Sequence, residues 1–189
     1  MSSFPLYLLR HGEPEGAGRL IGRTDAPPTA AGIAACADQA RNLAAEVLIA
    51  SDLSRARLAG EAIGLATDVP LSIDPRWREL DFGAWDGMAP GDVEGAALAR
   101  FWDDPDGHAP PGGERWSALV ERVSAAIDDL AARPTLIVTH AGAMRAALAV
   151  LCGFDMHQTW AVDLPYNCLL TLRVWPGATP TAQIAGLYP

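Results

Sequence analysis

Two short aliphatic runs, each ending in a histidine, constrain the fold of this chain more than any other feature. The first run covers residues 6–10 and ends at His11, and the second covers residues 135–139 and ends at His140. Apolar runs without polar alternation are typical of strands that are buried on both faces of a parallel sheet. Such sheets bind ligands at the carboxyl ends of their strands, so a site with paired histidines is predicted there.

Predicted strands and helices alternate along the chain. Strands are expected at residues 6–10, 47–50, 71–73, 135–139, 169–175 and 184–187, and helices at residues 30–43, 53–66, 92–102, 114–132 and 143–151. This alternation predicts an α/β fold, a three-layer α/β/α sandwich with a mostly parallel sheet. Because there is no internal repeat or linker, we expect a single domain over residues 1–189.

The balance of charges excludes some classes of partner. A formal net charge of −9 argues against a nucleic-acid surface and against binding to an anionic membrane. All 14 basic residues are arginines, whose planar guanidinium binds phosphate or carboxylate through two parallel hydrogen bonds. The base composition of a gene can also favour arginine, so the positions of the arginines, rather than their number, are the evidence for a small-molecule anion as the partner.

The cysteines and the N-terminal sequence favour a cytoplasmic protein. Cys36, Cys152 and Cys168 form no CxxC pair, which predicts buried free thiols and neither a disulfide framework nor a zinc site. Met1 stands close to the first predicted strand, which leaves no room for a signal peptide, and no apolar run approaches the length of a membrane span.

Exposed aliphatic side chains on the last predicted helix would allow a homodimer without requiring one.

Polar groups follow three of the predicted strands. Arg10 and His11 end the first strand, Ser51 and Arg55 follow the second, and His140 ends the fourth. Guanidinium and imidazole groups together predict a pocket for phosphate, and the helix N-termini after these strands add backbone N–H donors.

Binding alone does not require an imidazole among guanidinium groups. A neutral imidazole is a nucleophile, so attack by His11 on phosphorus would form a phosphohistidine. The leaving alkoxide then needs a proton, and Glu79, in a loop between elements, is our choice of acid. Glu13, Glu15 and Glu114 are the alternatives.

Five segments of the chain resemble the histidine phosphatase superfamily, which also contains cofactor-dependent phosphoglycerate mutase. They are Leu9-Arg10-His11-Gly12-Glu13, Gly22-Arg23-Thr24-Asp25 with Thr29 and Gly32, Ser51-Asp52-Leu53-Ser54-Arg55-Ala56, Arg78-Glu79-Leu80-Asp81-Phe82-Gly83, and Pro111-Gly112-Gly113-Glu114 leading to Val138-Thr139-His140-Ala141-Gly142. They follow the order of the family and span nearly the whole chain. The resemblance implies a phosphoglycerate mutase-like fold.

The resemblance also implies roles for residues. His11 would be the nucleophile, and Glu79 would protonate the leaving group and then help water to attack the phosphohistidine. The implied ligands of the phosphoryl group are Arg10, Arg55 and His140, with Arg23 and Thr24 as further substrate-binding residues. No metal and no cofactor are implied. We expect Asp81 and Asp86 to be structural.

Within the superfamily the likeness is greatest to α-ribazole-5′-phosphate phosphatases, which act on the lower-ligand nucleotide of cobalamin. Phe101-Trp102, residues 108–114, and Trp160 with Val162 carry this resemblance. The alternatives are a broad-specificity sugar-phosphate phosphatase, a phosphohistidine protein phosphatase, a phosphoglycerate mutase and a non-catalytic phospho-ligand or protein-binding module.

The pocket for the leaving group is predicted to be formed by loops 14–28 and 84–113. We expect Trp77, Trp85, Trp102 and Trp116 to pack in the core or in loops, with stacking of one or two of them on an aromatic leaving group as the alternative.

Overall fold

A six-stranded sheet runs through the protein, for which a computed structural model describes residues 2–189. The strands are β1 (Phe4–Arg10), β2 (Val47–Ala50), β3 (Leu71–Ile73), β4 (Thr135–Thr139), β5 (Leu169–Trp175) and β6 (Thr181–Tyr188). Their order is β3-β2-β4-β1-β5-β6. The first four strands of this order are parallel, and β5 pairs antiparallel with both β1 and β6. Only β5 is therefore reversed, and the predicted mostly parallel sheet is confirmed.

Helices cover both faces of the sheet. They are α1 (Ala30–Ala40), α2 (Ser54–Thr67), α3 (Gly95–Asp103), α4 (Trp116–Asp128), α5 (Ala141–Cys152) and α6 (Met156–Trp160). One apolar core joins the sheet to α1 and α2, and a larger core on the other face joins it to α3, α4 and α5. The three-layer α/β/α sandwich is therefore confirmed.

The central strands are buried on both faces, as their composition predicts. Leu6 and Leu8 enter one core and Leu9 enters the other, and none of the three is exposed. Side chains alternate between the two faces of a strand, so each face of β1 requires apolar residues.

The pairing of β1 with β4 brings the two histidines to one edge of the sheet. Arg10 lies opposite Thr139 in this parallel pair, and the backbone N–H of His11 donates to the carbonyl of Thr139 at 2.9 Å. Gly12 then turns the chain past α1, where a Cβ atom would lie 2.3 Å from the carbonyl oxygen of Gly32. Only glycine fits at this approach of two backbones.

Most of the predicted elements occur, with different ends. Helix α1 stops at Ala40 rather than at residue 43, where the chain tightens into a turn. Helix α4 begins at Trp116 because the backbone N–H of Glu114 donates to Asp81, which holds Glu114 outside the helix. Strand β6 is longer than predicted.

The short helices were not predicted. Helix α6 begins with a capping box formed by Asp155 and Gln158, which is the signal that could have revealed it. Two 3₁₀ helices, at Pro75–Trp77 and Gly83–Trp85, also lie where no element was expected. A third, at Pro90–Asp92, overlaps the start of the helix predicted at residues 92–102, whose α-helical part begins only at Gly95.

The last predicted helix is buried. No residue of α5 is exposed, so the exposed aliphatic side chains expected there as the basis of a homodimer are absent. None of the helices within residues 2–189 has the length and apolar character that crossing a bilayer requires.

The three cysteines are free, as predicted, and Cys36 and Cys168 are buried, whereas Cys152 is only half-buried. Burial raises the pKa of Cys36 to about 12 and that of Cys168 to about 11. Both thiols therefore stay protonated and act as small apolar side chains.

Candidate active site

His11 and His140 lie against each other at the carboxyl edge of the sheet. Their ring centroids are 4.9 Å apart, and the ring planes meet at 62°. The two side chains are 4% and 0% exposed, respectively. The topology thus brings together two imidazoles from residues more than a hundred positions apart in the chain.

A single hydrogen bond selects the tautomer of His11. Its Nδ1 lies 2.7 Å from the carbonyl oxygen of Gly12, which can only accept a hydrogen. The proton therefore resides on Nδ1, and Nε2 carries the free lone pair. Burial, followed by the positive charge of Arg55, holds the pKa of His11 well below its usual range, so the ring is neutral at neutral pH.

His140, which directly precedes α5, is held in place by Ser51. Its Nε2 lies 2.9 Å from the Ser51 hydroxyl oxygen, while its buried Nδ1 has no hydrogen-bond partner among the described residues. Burial, with the nearby charge of Arg55, also lowers the pKa of His140 well below its usual range. Its neutral ring retains unused hydrogen-bonding capacity within the site.

Arg10 is fixed by a neighbour that the sequence did not reveal. Its guanidinium carbon lies 4.0 Å from the ring centroid of Tyr166, which is 5.5 Å from the ring of His11. Nη1 donates to the carbonyl of Leu164, and the buried Nε has no partner among the described residues. Tyr166 precedes β5 in a turn, where no sequence pattern indicated a role at the site.

Arg55 brings a buried positive charge to the histidine pair. The side chain is 1% exposed, and its charge lowers the pKa of both histidines. Its terminal nitrogens donate to the carbonyls of Ile21, Gly22 and Thr24 at 2.8–3.1 Å. Arg55 therefore also organises the loop after β1.

Arg23 and Thr24 contribute their backbone to that loop. The backbone N–H groups of both residues donate to the carboxylate of Asp86, and Arg23 Nε lies 2.8 Å from Asp81 Oδ2. The Arg23 side chain is exposed. Neither the Arg23 nor the Thr24 side chain lines the cavity that opens beside Glu79. Asp81 and Asp86 use these contacts to connect the loop after β1 with the segment after Glu79.

Glu79 is held at the N-terminus of α5. Its Oε1 accepts a hydrogen bond from the N–H of Leu80 at 2.8 Å, and its Oε2 accepts one from the N–H of Gly142 at 3.2 Å. A Cβ atom at position 142 would lie 2.0 Å from Oε1. Glycine at position 142 therefore allows the carboxyl group to sit beside the helix that His140 begins.

The other acids that the sequence suggested are placed differently. Glu13 and Glu15 are exposed, and Glu114 forms an ion pair with Arg122. Of these four acids, Glu79 alone lines the cavity.

Arg122, which the sequence did not reveal, supports the segment that carries Glu79. Its guanidinium donates to the carbonyls of Arg76, Arg78 and Glu79 and to both carboxylate oxygens of Glu114. A residue of α4 thus fixes the backbone of the proposed acid.

A cavity of about 250 Å³ opens beside Arg10 and Glu79. Its walls are formed by Arg10, Glu79, Leu80, Phe82, Phe101, Trp102, Pro105, Trp116, Leu119, Ala141, Gly142, Arg145 and Trp160. Segment 84–113 contributes to this lining, whereas no residue of loop 14–28 does. Loop 14–28 instead folds around Arg55. His108 is exposed and lies outside the lining.

The described part of the chain, residues 2–189, contains no candidate metal centre. No group of three or more histidine, cysteine, aspartate or glutamate side chains there has the spacing to hold a metal ion.

Comparison with known proteins places this arrangement in context. The family model described as histidine phosphatase superfamily (branch 1) matches residues 6–184. Glucosyl-3-phosphoglycerate phosphatase of Mycolicibacterium vanbaalenii is 32% identical over 175 residues, covering 83% of this chain and 77% of that protein. Probable phosphoglycerate mutase GpmB of Yersinia pestis is 31% identical over 180 residues, covering 88% and 82%, respectively.

Solved structures show the same fold. The crystal structure of the α-ribazole phosphatase from Shigella flexneri superposes with a TM-score of 0.81 at 25% identity. The match covers 96% of this chain and 95% of that one.

Proposed function

The chain belongs to the histidine phosphatase superfamily, and we propose that this phosphoric monoester hydrolase works without a metal through a phosphohistidine at His11. One observation carries the proposal: a neutral imidazole with a free Nε2 lies 4.9 Å, ring to ring, from a second buried imidazole, with arginines beside both. A site that only bound phosphate would not need a histidine held as a nucleophile.

In the first step, Nε2 of His11 attacks phosphorus and the bond from phosphorus to the ester oxygen breaks. The electron pair of that bond goes to the alkoxide, which takes a proton from Glu79. The positive charge that develops on the His11 ring is stabilised by the Gly12 carbonyl, which accepts from Nδ1–H. Arg10 and His140 donate to the phosphoryl oxygens, and Arg55 adds its charge.

In the second step, water attacks the phosphohistidine. The Glu79 carboxylate takes a proton from the water, and the phosphorus–nitrogen bond breaks. Inorganic phosphate leaves, and His11 returns to its neutral form with the proton on Nδ1. The cations of Arg10 and Arg55 supply the charge neutralisation that a metal would supply in other phosphatases.

His11→Ala tests this mechanism. We expect hydrolysis of p-nitrophenyl phosphate, assayed with EDTA present, to fall by about 10³-fold or more, because the variant has no nucleophile. Rapid quenching of the wild-type enzyme with ³²P-labelled substrate should yield protein-bound label that is acid-labile and stable to base. His157→Ala, which removes an exposed histidine outside the site, is the matched control. Turnover by His11→Ala near the wild-type level would refute the mechanism.

For the substrate, we propose α-ribazole 5′-phosphate, an intermediate of cobalamin biosynthesis, hydrolysed in the cytoplasm. The segments around Phe101-Trp102 and Trp160 support this choice, as does the likeness to the Shigella flexneri α-ribazole phosphatase. A phosphorylated sugar acid is the second candidate, because Arg145 lies in the cavity wall and could bind a carboxylate, and because a glucosyl-3-phosphoglycerate phosphatase is a relative.

A comparison of kcat/KM separates the two candidates. The kcat/KM for α-ribazole 5′-phosphate should exceed the values for glucosyl-3-phosphoglycerate and 3-phosphoglycerate by about tenfold or more, because the cavity offers many apolar contacts and few polar partners. The reverse order would assign the enzyme to sugar-acid phosphates. Isomerisation of 3-phosphoglycerate faster than its hydrolysis would assign it to the mutases.

A further inference from the structure

The cavity beside Glu79 has an aromatic wall. Five of its lining side chains are aromatic, in a chain that is 7% aromatic. They are Phe82, Phe101, Trp102, Trp116 and Trp160. These residues come from the segment after Glu79 and from α3, α4 and α6, so the wall exists only in the folded protein.

Two of these side chains remain exposed although they touch each other. Trp102 of α3 is 38% exposed and Trp160 of α6 is 45% exposed. Their ring centroids are 5.0 Å apart, and the ring planes meet at 85°. An edge-to-face pair leaves ring surface uncovered, and an aromatic ligand can bury that surface without rearranging the protein.

Neighbouring residues hold the pair in place. Phe101 lies 4.7 Å from Trp102, centroid to centroid, and is itself buried. The guanidinium carbon of Arg145 lies 4.2 Å from the ring centroid of Trp160. Arg145 is anchored in turn, since its Nη1 donates to the carbonyls of Thr159 at 2.6 Å and Val162 at 2.8 Å. The wall is therefore organised before any ligand arrives.

The charged groups of the cavity are few. Of the described residues that line it, only Arg10, Glu79 and Arg145 carry a charge, and the first two serve the phosphoryl chemistry. A polyhydroxylated leaving group would need a directed partner for each buried hydroxyl, because a buried hydroxyl without a hydrogen-bond partner is unfavourable. An aromatic ring needs no such partners.

We propose that this cavity is a leaving-group subsite. Its ligand is an alcohol that is esterified to phosphate and that carries a planar aromatic ring system, which packs against Trp102 and Trp160. The inference rests on the proposed function, because the phosphoryl group at the histidine pair sets where the leaving group lies. It extends that function by naming the residues that select the substrate class. A volume of about 250 Å³ is below that of a drug-sized pocket and matches a small ring system.

Two esters of alcohols with similar acidity test the subsite. We expect the wild-type enzyme to hydrolyse 2-naphthylmethyl phosphate with a kcat/KM at least tenfold above that for ethyl phosphate. Trp102→Leu and Trp160→Leu should each reduce this preference at least fivefold, and Trp102→Phe and Trp160→Phe should restore most of it. Tyr188→Leu, which removes an exposed aromatic side chain of β6 outside the cavity, is the control that should keep the preference. Thermal melts verify that each variant is folded.

A binding measurement keeps the subsite testable apart from turnover. Titration calorimetry with 2-naphthylmethylphosphonate and ethylphosphonate, which are not hydrolysed, should show the same preference and the same loss in the leucine variants. Selective, tryptophan-dependent binding without turnover of either ester would support the subsite and refute the proposed hydrolysis. Turnover of both esters without a preference would refute the subsite and leave the hydrolase intact. A preference for sugar-acid phosphates that Arg145→Met abolishes would also refute it.

Discussion

At the scale of single residues, the site depends on groups that glycine allows to approach each other. Gly12 lets the chain after β1 pass the backbone of α1, and Gly142 lets the carboxyl group of Glu79 reach the first turn of α5. Neither glycine has a side chain that could act in the reaction. Each is required because another atom occupies the place where a Cβ would be.

Gly142→Ala should therefore impair the proposed acid specifically. The new methyl group would lie 2.0 Å from Glu79 Oε1, so the carboxyl group has to leave its position. We expect kcat for ethyl phosphate to fall by about 10²-fold, in the range of general acid–base catalysis. The loss for p-nitrophenyl phosphate should stay below about tenfold, because its leaving group needs little protonation.

Gly91→Ala is the matched control, since a Cβ at position 91 would meet nothing within 4 Å. Steady-state kinetics of both esters measure the difference, and Glu79→Gln should show the same pattern. Equal losses on the two esters in Gly142→Ala would contradict the assignment of Glu79 as the acid.

At the scale of elements, three helices each use an arginine to hold a loop. Arg55 of α2 donates to carbonyls of residues 21–24, and Arg122 of α4 donates to carbonyls of residues 76–79. Arg145 of α5 donates to the carbonyls of residues 159 and 162. A guanidinium suits this task because its several N–H donors lie in one plane, whereas an ammonium group is a compact point charge.

These loop contacts qualify the sequence-based interpretation of the arginines. The positions of Arg10 and Arg55 after predicted strands indicated phosphate binding, and Arg10 does lie in the cavity wall beside Glu79. Arg122 and Arg145 instead bind backbone carbonyls, and Arg55 does so while its charge reaches the histidines. Residue type alone cannot distinguish a phosphate from a carbonyl as the acceptor.

The accuracy of the predicted elements depended on their burial. Strands β2, β4 and β5, which carry buried side chains, have the predicted bounds, because an apolar run between polar turns marks a buried strand clearly. Helix α4 is shorter than its apolar periodicity suggested, because Glu114 is held by Asp81 and Arg122. Helix α6 has five residues, too few for periodicity to be recognised.

At the scale of the whole molecule, burying two neutral histidines makes stability depend on pH. The folded state lowers the pKa of His11 and of His140 below the usual value of about 6.5, so it binds fewer protons than the unfolded chain. The contribution of the two histidines to stability is therefore complete well above pH 6.5 and is lost as the pH falls through this value. The limiting slope is about 1.4 kcal/mol per pH unit for each histidine.

Urea unfolding at pH 7.5, 6.5 and 5.5 in phosphate-free buffer measures this effect. The free energy of unfolding should decrease slightly between the first two values and about three times as much between the last two. His140→Asn should lower the slope by about half, whereas His157→Asn, at an exposed position, should keep it. A free energy that stays constant down to pH 5.5 would contradict the burial of two neutral rings. The ion-paired Asp52 and Asp74, whose pKa values are lowered, act only at more acidic pH.

The sequence by itself determined the layers of the fold and the two strands that carry the histidine pair. Both follow from local patterns: apolar runs predict buried strands, and parallel neighbours bring their carboxyl ends to one edge. Only the tertiary structure decided the partners of Arg55, the place of Glu79 against Gly142, and the aromatic wall around Trp102 and Trp160. These contacts join residues that are far apart in the sequence. The distance and orientation between such residues depend on how the helices pack, and a local sequence pattern does not predict them.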